Sequence, residues 1–138
     1  MSTRKKQNKS MLTPKQKRFL DSHDLGRFGV ATKAGMPHVT PIIYAMDGDG
    51  PVIATDYGAK KLQILKENDK ACLLVDLDRP HKGILLQGEC EIYERGEEYL
   101  RLLKILFAKF SFYRKNPWGE GESPILRLAP SKIVDWSL

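Results

Sequence analysis

Two cysteines in 138 residues, Cys72 and Cys90, with no Cys-x-x-Cys pair, leave no basis for a disulfide framework or a zinc ribbon. Each lies inside an apolar, strand-like run, so two reduced, buried thiols are expected. The three histidines, His23, His38 and His81, show no metal-ligand spacing. No apolar stretch approaches the roughly 20 residues that span a bilayer. The basic N-terminus has no apolar segment behind it, so it does not read as a secretory signal. A cytoplasmic protein with no membrane partner is the expectation. No nucleophile–base pair and no carboxylate dyad stands out, so any catalysis would draw its chemistry from a cofactor.

What is present is a globular composition, 41% hydrophobic and 29% charged, at a length that suits one domain. The net charge of +6 is concentrated. Residues 1–18 hold Arg4, Lys5, Lys6, Lys9, Lys15, Lys17 and Arg18 and no acid; removing these seven from 23 leaves 16 basic against 17 acidic residues. The body is therefore almost neutral. We expect a basic flexible tail over 1–11, a single domain over 12–138, and no nucleic-acid partner for the body.

Thr13-Pro14 is a helix start. Three strands follow over 27–33, 37–45 and 51–55, with hairpin turns at Ala34-Gly35 and Asp47-Gly48-Asp49-Gly50. A helix over 59–68 and strands over 70–78 and 82–94 come next. In the latter, Ile84, Leu86, Gly88, Cys90 and Ile92 share one face, and Leu85, Gln87, Glu89, Glu91 and Tyr93 the other. One long helix over 95–116, a loop "PWGEGESP" and a final strand broken at Ala129-Pro130 complete the chain. Hairpins outnumber crossovers. The class is mainly β (α+β), a small six-stranded antiparallel barrel with peripheral helices.

Three stretches carry candidate chemistry. In "ATDYGAKKLQ" a strand ends at Thr55 and a helix begins with Lys60 and Lys61 in its first turn. That end of a helix favours anions, so lysines there suit a bound phosphate, with Thr55 as a further donor. Solvated lysines are the other reading, and spacing alone leaves both open. In "MPHVTPIIY" Pro37 and Pro41 interrupt an otherwise regular strand. A pairing break there frees the backbone of Thr40 and Ile42 for a flat ligand, or the strand is an edge facing water. Gln87 would meet a ligand's polar rim or lie on a solvated face. Trp118 could cover an aromatic ligand, whereas Trp136 reads as a packing anchor.

The ordered set "GR-x-x-VAT…G-x-PHV-x-P-x-x-Y", "T…KKL" and "L-x-P-x-K-I-V-x-W", running over about residues 12–138, resembles the pyridoxamine 5'-phosphate oxidase-like, flavin-binding split-barrel proteins. The resemblance implies a split barrel that forms a homodimer with flavin mononucleotide (FMN) at the subunit interface. It assigns the FMN phosphate to Lys61, with Thr55 and Lys60 beside it. The flavin ring would lie along Val39, Thr40, Pro41 and Ile42, with Gln87 reaching it and Trp118 near it. The implied activity is oxidoreduction of a small-molecule substrate. Rival expectations are a deazaflavin-dependent reductase, a non-enzymatic flavin-binding protein, and a nucleic-acid-binding barrel using the tail. Some relatives bind haem, but neither His38 nor His81 has a context that picks it as an axial ligand.

Overall fold

The computed structural model describes residues 11–138; the proposed tail, apart from Met11, lies outside the described residues. Helix α1 (Pro14–Asp21) starts where expected, closed by a capping box. The Gln16 amide donates to the Thr13 hydroxyl (3.1 Å), and the Gln16 side-chain oxygen accepts from the Thr13 amide (2.8 Å). Strands β1 (Leu25–Ala31), β2 (Pro37–Ile43), β3 (Ala45–Asp47) and β4 (Gly50–Ala54) lead to helix α2 (Lys60–Glu67). Then follow β5 (Lys70–Leu77), β6 (Lys82–Tyr93), helix α3 (Glu97–Lys109), the short helix α4 (Ser111–Lys115) and β7 (Ile125–Trp136).

All pairings are antiparallel, in the order β2-β1-β5-β6-β7-β4-β3. The two ends of that order are joined through one residue, Tyr44, so the sheet curls back on itself as a split barrel. Seven strands appear where six were expected because Tyr44 interrupts the strand read over 37–45. Its fully buried side chain donates to the Leu20 carbonyl at 2.6 Å, and its amide donates to the Asp24 carbonyl. The Lys109 ammonium then takes the Tyr44 carbonyl at 2.9 Å. These contacts turn the chain from β2 into β3.

Two further differences have equally local causes. The long helix stops at Phe110, whose extended backbone and buried ring separate α3 from α4. Strand β7 is continuous rather than broken at Ala129-Pro130. The irregularity is a bulge that leaves Ser131 between Lys132, opposite Gln87, and Pro130, opposite Gly88. A Cβ on Gly88 would lie 2.0 Å from the Ala129 oxygen, so only glycine fits beneath the bulge.

One apolar cluster fills the barrel beneath α1 and α2, including Phe28, Leu62, Leu65, Leu73, Ile84 and Leu86. The β6 alternation is realised there, with Ile84, Leu86 and Cys90 buried. Burial pushes the Cys90 thiol up to about 12. Cys72 departs from expectation, being half-buried on the outer face of the sheet. A second cluster packs Tyr99, Leu102 and Leu106 of α3 on Ala45, Val52 and Ile125. Each fully buried leucine contributes on the order of 1.5–3 kcal/mol.

Asp47 holds that second layer in place. Both its oxygens accept from Arg101 (2.8 Å each), and Oδ2 also accepts from Arg127 Nε at 2.9 Å. Bonding to Arg101, the largest effect, holds its carboxyl below the usual range. Asp47→Asn should therefore cost about 2 kcal/mol at neutral pH. A lowered carboxylate stabilises fully above its unfolded pKa and loses that contribution as pH falls through the folded value. Urea unfolding should show the wild-type advantage shrinking in acid; an unchanged gap at low pH would refute the assignment.

Candidate functional site

Strand β4 ends as its ladder with β7 ends. The Thr55 amide donates to the Pro124 carbonyl (3.0 Å), while the Ser123 hydroxyl donates to the Thr55 carbonyl. Thr55 is thereby fixed in a buried position, 8% exposed. The turn Asp56-Tyr57-Gly58 closes when the Ala59 amide meets the Asp56 carbonyl at 3.1 Å. Helix α2 begins at once, with Ala59 as an N-cap that makes no side-chain bond. Helix geometry leaves the amides of Lys60, Lys61 and Leu62 without intrahelical acceptors, and alanine supplies none.

A cavity of about 460 Å³ opens over this corner, lined by Thr55, Asp56, Ala59 and Lys61 together with Tyr113, Trp118 and Ser123. Its aromatic wall is rigid. The Trp118 indole donates to the Tyr99 hydroxyl (3.0 Å), which donates to the Ser123 carbonyl (2.7 Å). The Tyr113 and Phe107 rings meet Trp118 edge-on at 4.7 and 4.9 Å. Burial, then the nearby Asp56 charge, raises the Tyr113 phenol, so it stays protonated at neutral pH as a hydrogen-bond donor. The α2 start, Thr55 and Lys61 offer donors that fit a phosphate, the aromatic rings suit a larger group attached to it, and Asp56 adds one carboxylate to the same lining.

The nine sequence-derived positions divide among separate places. Thr55, Lys61 and Trp118 share the cavity. Lys60 does not; it lines a small cleft of about 110 Å³ with Thr32, Lys33 and Glu67. Gln87 lies exposed on the outer sheet face, lining a groove with Lys70 and Lys132. Val39, 60% exposed, is on that same face, since the register aligns Val39, Gly29, Cys72, Gln87 and Lys132 in one row across five strands.

The backbone of β2 corrects one expectation. The Thr32 amide donates to the Met36 carbonyl and the Tyr44 amide to the Asp24 carbonyl, one at each end of the β1–β2 ladder. Antiparallel alternation between these bonds makes the even-numbered residues the bonded ones, with Thr40 opposite Phe28 and Ile42 opposite Gly26. Their backbone groups are engaged. The outward groups belong to Pro37, Val39, Pro41 and Ile43. Thr40 offers something else: its hydroxyl oxygen is buried with no hydrogen-bond partner.

Sequence reasoning missed Tyr113, Tyr99 and Ser123. The aromatic run "FSFYRKN" is the available signal for Tyr113, but the helical pattern of 95–116 continues through it and hides the break.

A curled antiparallel sheet that closes in this way defines the split-barrel class of protein. The family model for pyridoxamine 5'-phosphate oxidase matches residues 12–137, and the chain belongs to that family. No curated protein matches it. Among solved structures, it is similar to the haem storage protein HutZ of Vibrio cholerae at TM-score 0.76 and 15% identity, over 89% of this chain and 93% of that one. An FAD-binding protein of Mesorhizobium loti gives 0.71 and 17%, over 90% and 92%. A pyridoxamine 5'-phosphate oxidase-related, FMN-binding protein of Nostoc punctiforme gives 0.61 and 10%, over 81% and 74%. At these identities the likenesses establish the fold.

Proposed function

We propose that residues 12–138 form one FMN-binding domain that works as a homodimeric oxidoreductase on a small molecule. The observation that carries this reading is the convergence of the uncapped α2 start, the buried Thr55 and Lys61 on one cavity that Tyr113 and Trp118 also line. Family membership and the FMN- and FAD-binding neighbours support it. Bound FMN would supply the hydride chemistry. The chain's own residues bind and orient: Lys61 and the Lys61 and Leu62 amides hold the phosphate, Thr55 donates a hydroxyl, and the Trp118–Tyr99 pair limits water at the aromatic wall.

The homodimer is supported by a sheet face that exposes apolar side chains among Arg27, Gln87 and Lys132. Pro41, Arg27, Leu74, Leu85 and Val134 form a second row there, beside the row containing Val39 and Cys72. Leu25, Val39 and Val134 are 54%, 60% and 40% exposed, a patch of the kind that monomers seldom leave open. A second copy is the occupant this reading assigns.

The test is an absorption spectrum of the untagged protein as purified, followed by mass analysis of any pigment that heat releases. The twin bands of a flavin, with FMN in the supernatant, are expected. A deazaflavin spectrum would keep the fold and change the cofactor. A Soret band with iron, or a colourless protein that takes up no FMN, would overturn the reading.

A further inference from the structure

Helix α3 carries two apolar stripes. Tyr99, Leu102 and Leu106 are fully buried in the second core cluster. The other stripe runs through Leu100, Leu103, Lys104, Phe107 and Ala108, the i, i+3, i+4, i+7, i+8 spacing of a helix face that ordinarily packs on a neighbour. These five residues and Arg114 of α4 instead line a groove of about 480 Å³, where Leu100 is 43% exposed and Lys104 and Ala108 are exposed. Its charge is of one sign. No acid stands three or four residues from Lys104 in the helix, and among the described residues neither Lys104 nor Arg114 pairs with a carboxylate. Arg114 is nevertheless held. Its Nη1 donates to the Phe107 and Ala108 carbonyls, which fixes the guanidinium at the end of α3 and leaves the rest of its donor fork for a ligand.

We propose that this groove is a second binding site, for a small amphiphilic carboxylate whose alkyl chain lies on Leu100, Leu103 and Phe107 and whose charge meets Lys104 and Arg114. Charge selects the class of occupant: the lining holds two cations and no acid. Size selects a small molecule. The stripe from Leu100 to Ala108 is about 12 Å long at the helical rise. A helix-wide strip of that length offers on the order of 120 Å², far short of the roughly 800 Å² per partner of a stable protein interface. The groove volume, by contrast, falls within the range of small-molecule sites. The site does not require a flavin, but it shares a wall with the cavity over Thr55 and Lys61. Phe107 lines the groove, and its ring meets Trp118 of that cavity edge-on at 4.9 Å.

The experiment titrates the full-length protein, without added FMN, with decanoate, butyrate and decyltrimethylammonium below their micellar concentrations, read by calorimetry. Decanoate should bind saturably at one site per chain. Butyrate, which lacks the methylenes that would cover the leucines, and the cation, which meets Lys104 and Arg114 with like charge, should each bind at least tenfold more weakly. That comparison needs no variant to fold. Lys104→Glu and Ala108→Glu, both at exposed positions, should weaken decanoate at least tenfold with an unchanged circular dichroism spectrum. Lys66→Glu makes the same change in net charge as Lys104→Glu at an exposed position on α2, and should stay within about threefold. Decanoate should also alter Trp118 emission, a change absent from Trp118→Phe. Equal affinity for carboxylate and cation, uptake that never saturates, or binding that both glutamate substitutions leave unchanged would overturn the proposal. An emission change that persists in Trp118→Phe would place the ligand elsewhere, with the same consequence. If decanoate does not bind and Leu100→Glu turns a dimer into a monomer, the groove is a contact between copies and the proposal falls. The FMN reading stands or falls separately, on the absorption spectrum.

Discussion

Lys61→Ala should lower FMN affinity by roughly ten- to a hundred-fold, the equivalent of about 1.5–3 kcal/mol for a charge-assisted bond to phosphate. Lys60→Ala should change it by no more than about threefold. The two lysines are adjacent in sequence, yet neighbouring helix residues project about 100° apart and do not share a face. Only Lys61 reaches the cavity with Thr55; Lys60 faces the cleft beside Glu67. Fluorescence titration with FMN and with riboflavin separates the contributions. Riboflavin lacks the phosphate, so Lys61→Ala should bind it as wild type does. A riboflavin loss equal to the FMN loss would mean that Lys61 acts through the fold. If Lys60→Ala carried the effect instead, the cavity would not be the phosphate site.

The same residues show how far the sequence could be read. The Thr13-Pro14 helix start and the alternation in β6 are local signals, and both are present as expected. Tyr44 and Phe110 were not legible, because what breaks the regular element at each is tertiary. The Tyr44 hydroxyl finds a carbonyl 24 residues away, and Phe110 is buried under a layer formed by other strands. At the site, the approach of Thr55 to Lys61 follows from one strand–turn–helix and could be anticipated. That Tyr113 and Ser123 join the lining depends on where α4 and the last loop fall against β4, which spacing does not encode. The β2 edge was half legible. Two prolines four apart announced an interrupted edge, but only the ladder phase says that Val39, and not Thr40 or Ile42, presents it.

Val134→Arg should convert the proposed homodimer into a folded monomer. Val134 is 40% exposed on the outer face, so an arginine there costs a single chain little, within about 0.5 kcal/mol for a surface change. Pressed against a second copy, it would add an unpaired cation to a row in which Arg27 is paired with Asp76 and the neighbours are Leu74 and Leu85, and an unpaired buried cation carries a desolvation penalty of roughly several kcal/mol. Sedimentation should report a monomer at micromolar concentration with an unchanged circular dichroism spectrum. Cys72 gives a second readout, since it lies in the neighbouring row and is half-buried in the single chain. If the wild type is the proposed dimer, its maleimide labelling should be slow there and faster in Val134→Arg. If FMN sits between the copies, its affinity should fall at least tenfold in Val134→Arg, while Lys61→Ala should lose FMN and stay dimeric. A Val134→Arg protein that remains dimeric would place the interface on another face. One that becomes monomeric yet binds FMN as tightly as wild type would confine the whole cofactor site to one chain.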